Sequence, residues 1–190
     1  MRANAARRAK HEISEVIMSK PMIEDLPYPD LSAIGTDCKN AQIIMPAYVD
    51  SESEMTAVLQ YIFQSINFDV AGNSRYAAML EDIAIAEMKH LDLLGEALLR
   101  MGVSPVYVRR PPNKCDYYST CHVNYATQPA AMIAADITSE TEAIRSYEQM
   151  LCKITNPTLG ALISRILLDE RMHLKAFKEM YCEIVAAPNG

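Results

Sequence analysis

The residues in this chain best suited to chemistry form two copies of the pattern Glu-x-x-His. The first copy starts at Glu87 and ends at His90, the second starts at Glu170 and ends at His173, and Leu follows each histidine. Both copies lie within long stretches of helical hydrophobic spacing. Residues three apart share one face of an α-helix, so each copy can direct a carboxylate and an imidazole toward one point. Carboxylate and imidazole groups are ligands for divalent metal ions.

A second repeated pattern, Glu-x-x-Ala-[Val/Ile]-x-x-Tyr, precedes each Glu-x-x-His. Its copies begin at Glu54 and Glu140 and end at Tyr61 and Tyr147. The distance from the lone glutamate to the following Glu-x-x-His differs between the two halves by about one helical turn, which a different inter-helix turn can absorb. The two halves therefore look like an internal duplication of a helical hairpin.

Four carboxylates and two imidazoles from these two halves form the predicted metal site. Without a cation these groups would repel one another, and each unpaired buried ion costs several kcal/mol. Two divalent ions balance four carboxylate charges, and bridging carboxylates hold such ions roughly 3.5–4 Å apart. The predicted ligands are Glu54 and His90 for one ion, Glu140 and His173 for the other, and Glu87 and Glu170 as bridges.

Two alternatives concern the lone glutamates. Glu142 is close to Glu140 in the sequence, but it would point about 200° away around the helix, and only Glu140 has the Ala and Tyr of the repeat. Ser51, with Glu54 three residues later, also fits a capping box. Capping therefore competes with metal binding as the role of Glu54.

Three residues are candidates for supporting roles. Tyr61 and Tyr147 lie two helical turns beyond their glutamates, and their hydroxyls can bond a metal ligand or a bound oxygen species. Core packing with a satisfied hydroxyl is an equally consistent interpretation. Asp169 can accept the free ring N–H of a ligand histidine from the neighbouring helix, and a plain surface position is the alternative. Its counterpart in the first half is Ala86, which predicts that the two metal positions differ.

Four long helices are needed to position these residues. Glycine is scarce, with 6 residues, and 50% of the chain is hydrophobic, which favours a helical domain with a substantial core. The spacing predicts helices over residues 51–70, 74–100, 129–154 and 157–185, with residues 103–128 as a long, proline-containing connection. The predicted fold is all-α: a four-helix bundle of two antiparallel hairpins joined by a long crossover.

The first part of the chain is predicted to be an extension. We divide the chain into an N-terminal arm, residues 1–49, and the bundle, residues 50–190. Residues 5–19 can form a short helix, although a mobile tail over the first dozen residues is equally consistent. The prolines in residues 21–48 predict an ordered arm wrapped over the bundle, or a loop.

Composition excludes several classes of function. The net charge of −6 argues against nucleic acid as the main partner, and no apolar run is long enough for a membrane span. The 5 cysteines are odd in number and include no Cys-x-x-Cys, so we expect a reducing cytoplasm and not a disulfide framework. Cys115, Cys121 and His122 can bind a soft metal or form a disulfide, but ordinary loop thiols fit their spacing better. The basic residues 1–20 have no apolar core, so no signal peptide is predicted.

These motifs resemble the ferritin-like superfamily of dinuclear metal carboxylate proteins, which includes bacterioferritins, rubrerythrins and manganese catalases. The resemblance covers about residues 50–186. The segments starting at Glu54 and Glu87 are similar to bacterioferritin helices. Residues 54–68 are also similar to the first bundle helix of manganese catalases and related spore-coat proteins, and Tyr28-Pro29 is a weaker similarity to that group.

The resemblance implies a di-iron or di-manganese centre that acts on hydrogen peroxide or dioxygen. Manganese catalase-like dismutation of peroxide is favoured because it needs no outside reductant, and the chain lacks a rubredoxin-type Cys-x-x-Cys pair. Alternatives are a bacterioferritin-like ferroxidase, peroxide or substrate oxidation with an external reductant, and a non-enzymatic coat or structural metal-binding protein. The fifth helix of cage-forming ferritins is not found after the fourth bundle helix, which lowers the expectation of iron storage. We expect a homo-oligomer with no nucleic acid or membrane partner, and the ligand set does not distinguish iron from manganese.

Overall fold

Five α-helices account for most of the fold in the computed structural model, which describes residues 20–108 and 116–187. The predicted helix over residues 5–19 and the thiol of Cys115 lie outside these ranges. The helices are α1 (Cys38–Tyr48), α2 (Glu54–Val70), α3 (Ser74–Arg100), α4 (Pro129–Leu151) and α5 (Pro157–Ala186). Helices α2 and α3 pack as one hairpin and α4 and α5 as the other. The predicted all-α bundle of two hairpins joined by a long crossover is confirmed.

The bundle helices begin and end at residues whose chemistry explains the boundary. Gly72 and Gly102 follow α2 and α3 with φ angles of 82° and 86°, a conformation that glycine adopts without steric cost. The side chain of Asn156 accepts a hydrogen bond from the backbone N–H of Leu159, and Pro157 occupies the first turn of α5. Gly72 and Asn156 thus mark the two hairpin turns, and Gly102 marks the start of the crossover.

The start of α2 differs from the prediction. Ser53 is the N-cap, and its hydroxyl accepts a hydrogen bond from the backbone N–H of Thr56. The capping box predicted for Ser51 and Glu54 is therefore wrong, because the helix begins at Glu54 itself. The Glu54 side chain is buried, so its carboxylate is directed into the bundle.

Helix α1 is the main element that the sequence does not predict. An arm or loop is the expectation for residues 21–48, but an 11-residue helix occupies the end of that range. Asp37 caps it by accepting a hydrogen bond from the N–H of Asn40. Pro46 would ordinarily break a helix, yet it lies in the last turn of α1, where its missing N–H removes the one bond to the carbonyl of Gln42.

Packing against α3 explains why α1 is stable. Ile44 and Tyr48 of α1 are buried in the same apolar cluster as Leu94 and Leu98 of α3. A Cβ atom at Gly95 would lie only 3.3 Å from the Tyr48 ring, so the missing side chain allows the close approach of the two helices. The boundary between arm and bundle at residue 50 stays a prediction.

The crossover carries the chain to the start of α4. Its described residues include an antiparallel bridge between Val108 and Tyr117 and a short 3-10 turn at Thr120–His122. The hydroxyl of Tyr48 donates a 2.9 Å hydrogen bond to the carbonyl of Pro105, which ties the crossover to α1. Cys121 is exposed and free. No helix in the described ranges is both long and apolar enough to cross a membrane.

The interior of the bundle has two apolar clusters with polar residues between them. Along α3, the apolar residues before Glu87 belong to one cluster and those after His90 belong to the other. The order is reversed along α5, where Glu170 and His173 again separate the two sets. The polar layer at mid-bundle is therefore shielded from water by apolar packing on both sides.

Candidate metal centre

Each of the six predicted ligands projects into this mid-bundle layer and is buried. The lone glutamates come from α2 and α4, and each Glu-x-x-His pair comes from the middle of α3 or α5. All six side chains lie in residues that are at most 5% exposed, and both histidines are fully buried. The six residues brought together are Glu54, Glu87, His90, Glu140, Glu170 and His173.

The ligand atoms fall into two groups that share two glutamates. One group consists of Glu54, Glu87, His90 and Glu170, and within each group one atom per residue lies within 4.8 Å of the others. The second group combines the same two shared glutamates with Glu140 and His173. The shared residues are Glu87 and Glu170, the two that the sequence assigns as bridges.

Each shared glutamate directs one oxygen toward each histidine. The Nδ1 atom of His90 lies 2.9 Å from Oε2 of Glu87 and 3.0 Å from Oε1 of Glu170. The Nδ1 atom of His173 lies 2.9 Å from Oε1 of Glu87 and 3.9 Å from Oε2 of Glu170. A carboxylate arranged in this way can bridge two cations.

The lone glutamates are each near one histidine only. An oxygen of Glu54 lies 3.5 Å from Nδ1 of His90, and an oxygen of Glu140 lies 3.9 Å from Nδ1 of His173. Glu142, the alternative to Glu140, is exposed. The geometry therefore agrees with the choice of Glu140, although metal binding by any of the six residues stays a prediction.

Several buried polar atoms of this cluster have no hydrogen-bond partner. They include Oε1 of Glu87, Oε2 of Glu140, Oε1 of Glu170 and Nδ1 of His173. Nδ1 of His173 and Oε1 of Glu87 are 2.9 Å apart, an ion-pair distance when the imidazole is protonated, but neither atom has a hydrogen-bond partner. Leaving a buried polar group unpaired costs about 1–3 kcal/mol. Cations between these atoms would remove that cost, so the residues present fit a pair of metal ions.

Electrostatics in the cluster favour bound protons when no cation is present. Burial, reinforced by Glu87, raises the pKa of Glu54 and of Glu170 to about 8. Burial also raises the pKa of Glu140 well above its ordinary value, and the Glu170 and Glu87 carboxylates add to the effect. Each of these groups therefore tends to carry a proton at neutral pH.

The two histidines and Glu87 shift in the opposite sense because they form ion pairs. Burial alone would raise the pKa of Glu87, but His173 and His90 outweigh it and hold that pKa well below its ordinary value. Burial alone would lower the pKa of both histidines, but nearby carboxylates outweigh it. The main cause of the raised pKa is Glu54 for His90 and Glu87 for His173. A metal ion binding here would displace protons from the cluster.

The two repeat tyrosines bond glutamates of the opposite half. The hydroxyl of Tyr61 in α2 donates a 2.6 Å hydrogen bond to Oε1 of Glu140 in α4. The hydroxyl of Tyr147 in α4 donates to Oε1 of Glu54 in α2. Both tyrosines are buried. A direct role in a reaction stays a prediction, but each hydroxyl orients one predicted ligand.

Asp169 lies beside His90 and is fully buried, so the alternative of a surface residue is wrong. The Nε2 atom of His90 lies 3.1 Å from Oδ2 of Asp169, across the bundle from α3 to α5. Burial alone would raise the pKa of Asp169, but hydrogen bonds from His90, Arg165 and Tyr28 outweigh it and lower that pKa to about 2. The carboxylate is therefore charged and accepts the His90 N–H, the arrangement predicted from the sequence.

His173 has a different outer partner. Its Nε2 atom lies 2.8 Å from the backbone carbonyl of Met22, in the segment before α1. A carbonyl only accepts, so Nε2 must be the donor and Nδ1 is left to face the cluster. Sequence reasoning did not find this contact, because a backbone carbonyl leaves no residue signature.

A narrow cavity leads from the surface to the cluster. Its lining includes the exposed residue Glu52 and the buried residue Glu87, and its volume is about 30 Å³. A void of this size has room for roughly two water molecules. Ala57 and Ala143, the alanines of the repeated Glu-x-x-Ala, both line it, and their small side chains keep this space free.

A second buried polar group lies next to the centre and was not predicted. Gln60 and Gln64 each donate a 2.8 Å hydrogen bond to Oδ1 of Asp136, one turn before Glu140 in α4. Burial raises the pKa of Asp136 to about 7, although both glutamine side chains oppose the shift. The available sequence signal was an aspartate, Asp136, on the apolar face of α4.

A helical bundle whose halves contribute two ligand groups with two shared glutamates has the arrangement of dinuclear carboxylate bundles. The family model described as Ferritin-like domain matches residues 50–183. The chain therefore belongs to the ferritin-like family. Curated protein sequences give no match.

Solved structures with the same fold include proteins of two kinds. The chain is similar to KatB, a manganese catalase from Anabaena, with a TM-score of 0.73 and 19% identity over 88% of this chain and 83% of that one. It is also similar to a Desulfovibrio desulfuricans bacterioferritin with a diiron site (TM-score 0.66, 24% identity, 78% and 81% coverage). A Mycobacterium tuberculosis bacterioferritin matches with a TM-score of 0.64 and 19% identity over 80% and 88%. At these identities the similarity shows the fold and not the reaction.

Proposed function

We propose that this protein binds two ions of manganese or iron and catalyses the dismutation of hydrogen peroxide. The observation that carries the proposal is the sharing of Glu87 and Glu170 between two ligand groups. Glu54 and His90 would complete one metal position. Glu140 of α4 and His173 of α5 would complete the other. Four carboxylates match the charge of two divalent ions, which supports a pair over a single ion.

The cavity supports a very small substrate. Its volume of about 30 Å³ is enough for hydrogen peroxide or dioxygen but not for an organic molecule of ordinary size. In dismutation, one peroxide accepts two electrons and two protons and becomes two water molecules, and a second peroxide gives up two electrons and two protons and becomes dioxygen. No outside reductant is required.

The bound metal pair would supply the two-electron redox chemistry, and the side chains would hold it and its protons. Tyr61 and Tyr147 would keep the Glu140 and Glu54 carboxylates in place through their hydroxyl hydrogen bonds. Apolar packing on both sides of the polar layer would exclude bulk water from the reacting space.

Oxygen release tests this proposal directly. The protein should be purified from its native host, analysed for metal content, and mixed with peroxide in an oxygen electrode. We expect manganese-loaded protein to release one dioxygen for every two peroxides consumed, and Glu87→Ala protein to bind little metal and release none. Fully loaded protein that leaves peroxide unchanged would exclude dismutation. If Glu87→Ala abolished loading but left assembly and biological role intact, a structural coat protein would be the better interpretation.

Oxidation of ferrous iron is the second candidate, and one observation favours it. Glu52 lines the cavity, and burial followed by the nearby charge of Glu142 raises its pKa. The carboxylate of Glu52 at the cavity, with the charge of Glu142 near it, would attract a cation such as Fe²⁺. Repeated consumption of dioxygen on addition of Fe²⁺, with no peroxide dismutation, would support this candidate.

We also propose that the protein forms a homo-oligomer in a reducing cytoplasm. The outward faces of α2 and α3 expose Ile62, Ile66, Val70 and Met88, whose exposed fractions range from 39% to 84%. The α2–α3 hairpin of a second copy could cover these four apolar side chains in a dimer with two-fold symmetry. Ile66→Lys should then shift the protein to a smaller species in light scattering, whereas Lys at the exposed α4 position Ala134 should not. An unchanged mass for both variants would exclude this face.

A further inference from the structure

We propose that residues 22–28, which precede α1, act as a positioning segment for the metal centre and make its two metal positions unequal. The inference rests on the proposed binding of two ions. The segment contacts the outer nitrogen of His173 directly, and it reaches the outer nitrogen of His90 through Asp169. The position that contains His90 should therefore bind the first ion.

Residues 22–28 supply two of the four donors that hold Asp169. The hydroxyl of Tyr28 donates a 2.6 Å hydrogen bond to Oδ2, and the backbone N–H of Glu24 donates a 2.7 Å bond to Oδ1. The other donors are Nη1 of Arg165 at 2.6 Å and Nε2 of His90 at 3.1 Å. With both oxygens fixed, the carboxylate has one orientation from which to accept the imidazole N–H.

Arg165 also fastens residues 22–28 to α5. Its Nε and Nη2 atoms donate to the carbonyls of Leu26, at 2.9 Å, and Glu24, at 2.6 Å. Its guanidinium lies over the Tyr28 ring, 4.4 Å from the ring centroid. The Tyr28 ring in turn meets the His90 ring edge-on, with centroids 6.3 Å apart. The contact is thus built of several charge-assisted bonds and two ring contacts, and is not a loose strand on the surface.

Comparing the two duplicated halves shows which hydrogen-bond acceptor residues 22–28 provide to His173. Asp169, just before Glu170, accepts a hydrogen bond from His90. By the duplication, the residue just before Glu87 would be the matching acceptor for His173. That position is Ala86, which is fully buried and has no polar side chain. The carbonyl of Met22 is the acceptor found at His173 instead. One imidazole is therefore bonded to a charged carboxylate and the other to a neutral carbonyl.

This difference should produce unequal affinities. A carboxylate acceptor increases the basicity of an imidazole more than a carbonyl does, and such outer partners typically change metal affinity by about 10–100-fold. The Tyr28 hydroxyl would contribute by holding Asp169, so it is a positioning group that never touches the ion itself.

An equilibrium titration with Mn²⁺ tests the inference on the full chain. We expect wild-type protein to bind in two resolved steps, and Tyr28→Phe to weaken the tighter step by about tenfold while leaving the weaker step unchanged. Tyr48→Phe is the control, because it also removes one tyrosine hydroxyl hydrogen bond, here to a backbone carbonyl in the crossover, away from Asp169. Equal affinities in wild type, or a Tyr28→Phe isotherm identical to wild type, would overturn the inference. Failure of wild type to bind Mn²⁺ would instead overturn the proposed function.

A second measurement needs no variant. In protein loaded with diamagnetic Zn²⁺, the Nε2 protons of His90 and His173 should both exchange slowly in proton NMR, because residues 22–28 and Asp169 cover them. The His90 proton should resonate further downfield, since its acceptor is a carboxylate. Two equivalent signals, or rapid exchange of both protons with solvent, would contradict a positioning role for this segment.

Discussion

The hydroxyl of Tyr61 donates a 2.6 Å hydrogen bond to Glu140, a residue of the opposite half of the duplication. Tyr147 makes the reciprocal bond to Glu54. The two bonds form together because α2 and α4 have the same spacing from glutamate to tyrosine and run in opposite directions. Each tyrosine is about two helical turns from the glutamate of its own helix and beside the glutamate of the other. The halves are thereby linked at the polar layer itself.

Removing one of these hydroxyls should weaken the link measurably. Tyr61→Phe keeps the ring in the apolar cluster but leaves an oxygen of buried Glu140 without its donor. We expect the free energy of unfolding of the metal-free protein to fall by about 1–3 kcal/mol, as measured by urea denaturation. Tyr125→Phe is the control, because Tyr125 is 53% exposed and should change stability little. Equal stability of both variants and wild type would contradict a structural role for this bond.

Metal content should distinguish a shared ligand from an unshared one. Glu87 belongs to both ligand groups and Glu54 to one. We therefore expect Glu87→Gln to lose both ions and Glu54→Gln to retain one, as measured by elemental analysis after gel filtration. Circular dichroism should confirm that both variants remain helical. Identical metal content in the two variants would contradict the assignment of Glu87 as a bridge.

Stability of the metal-free protein should depend on pH in a defined direction. Glu54 and Glu170 have pKa values of about 8 in the folded protein, against an ordinary value of 4.5. Between these values the folded state holds protons that the unfolded chain has released. These groups therefore make their largest contribution to the free energy of unfolding below about pH 4.5. That contribution decreases as the pH rises toward about 8.

Thermal melting checks this prediction. The melting temperature of metal-free protein should be lower at about pH 8 than at about pH 5, and Mn²⁺ should remove most of the difference because it replaces the bound protons. A metal-free protein that melts at a higher temperature at the more alkaline pH would show that the cluster does not carry these protons.

Access to the centre should depend on the small residues of the cavity. Ala143→Leu would fill a void of about 30 Å³ without removing any predicted ligand. We expect metal content to stay unchanged and peroxide consumption to fall by at least about tenfold, because no space for a water-sized molecule remains. Ala134→Leu, at an exposed position of the same helix, is the control. Full activity of Ala143→Leu would indicate another route to the metals.

Helical periodicity and repeated motifs were enough to predict the bundle and to bring six side chains to one layer. Residues three apart on a helix must share a face, so Glu87 and His90 required little tertiary information. The position of Asp169 just before Glu170 suggested a contact with a histidine of the neighbouring helix, but a surface position was an equally open alternative. The partners of Tyr61 and Tyr147 were not predictable, because the direction and register of α2 against α4 are set by packing.

Helix α1 and the segment before it were missed for different reasons. Pro46 is a local signal against helix, and tertiary burial of Ile44 and Tyr48 overrides it. The contacts of residues 22–28 are made largely by backbone atoms, which have the same chemistry at every position. Only the complete fold shows that the Met22 carbonyl lies 2.8 Å from an imidazole.

Residues 22–28 also lie ahead of residues 50–183, the region that defines membership of the family. Two chains can therefore have the same bundle and the same six predicted ligands and still differ in the outer hydrogen bonds of both imidazoles. Those bonds would tune the reduction potential of a bound metal. Substitutions in a leading segment that supplies no ligand would then be one route by which a shared scaffold acquires different redox behaviour.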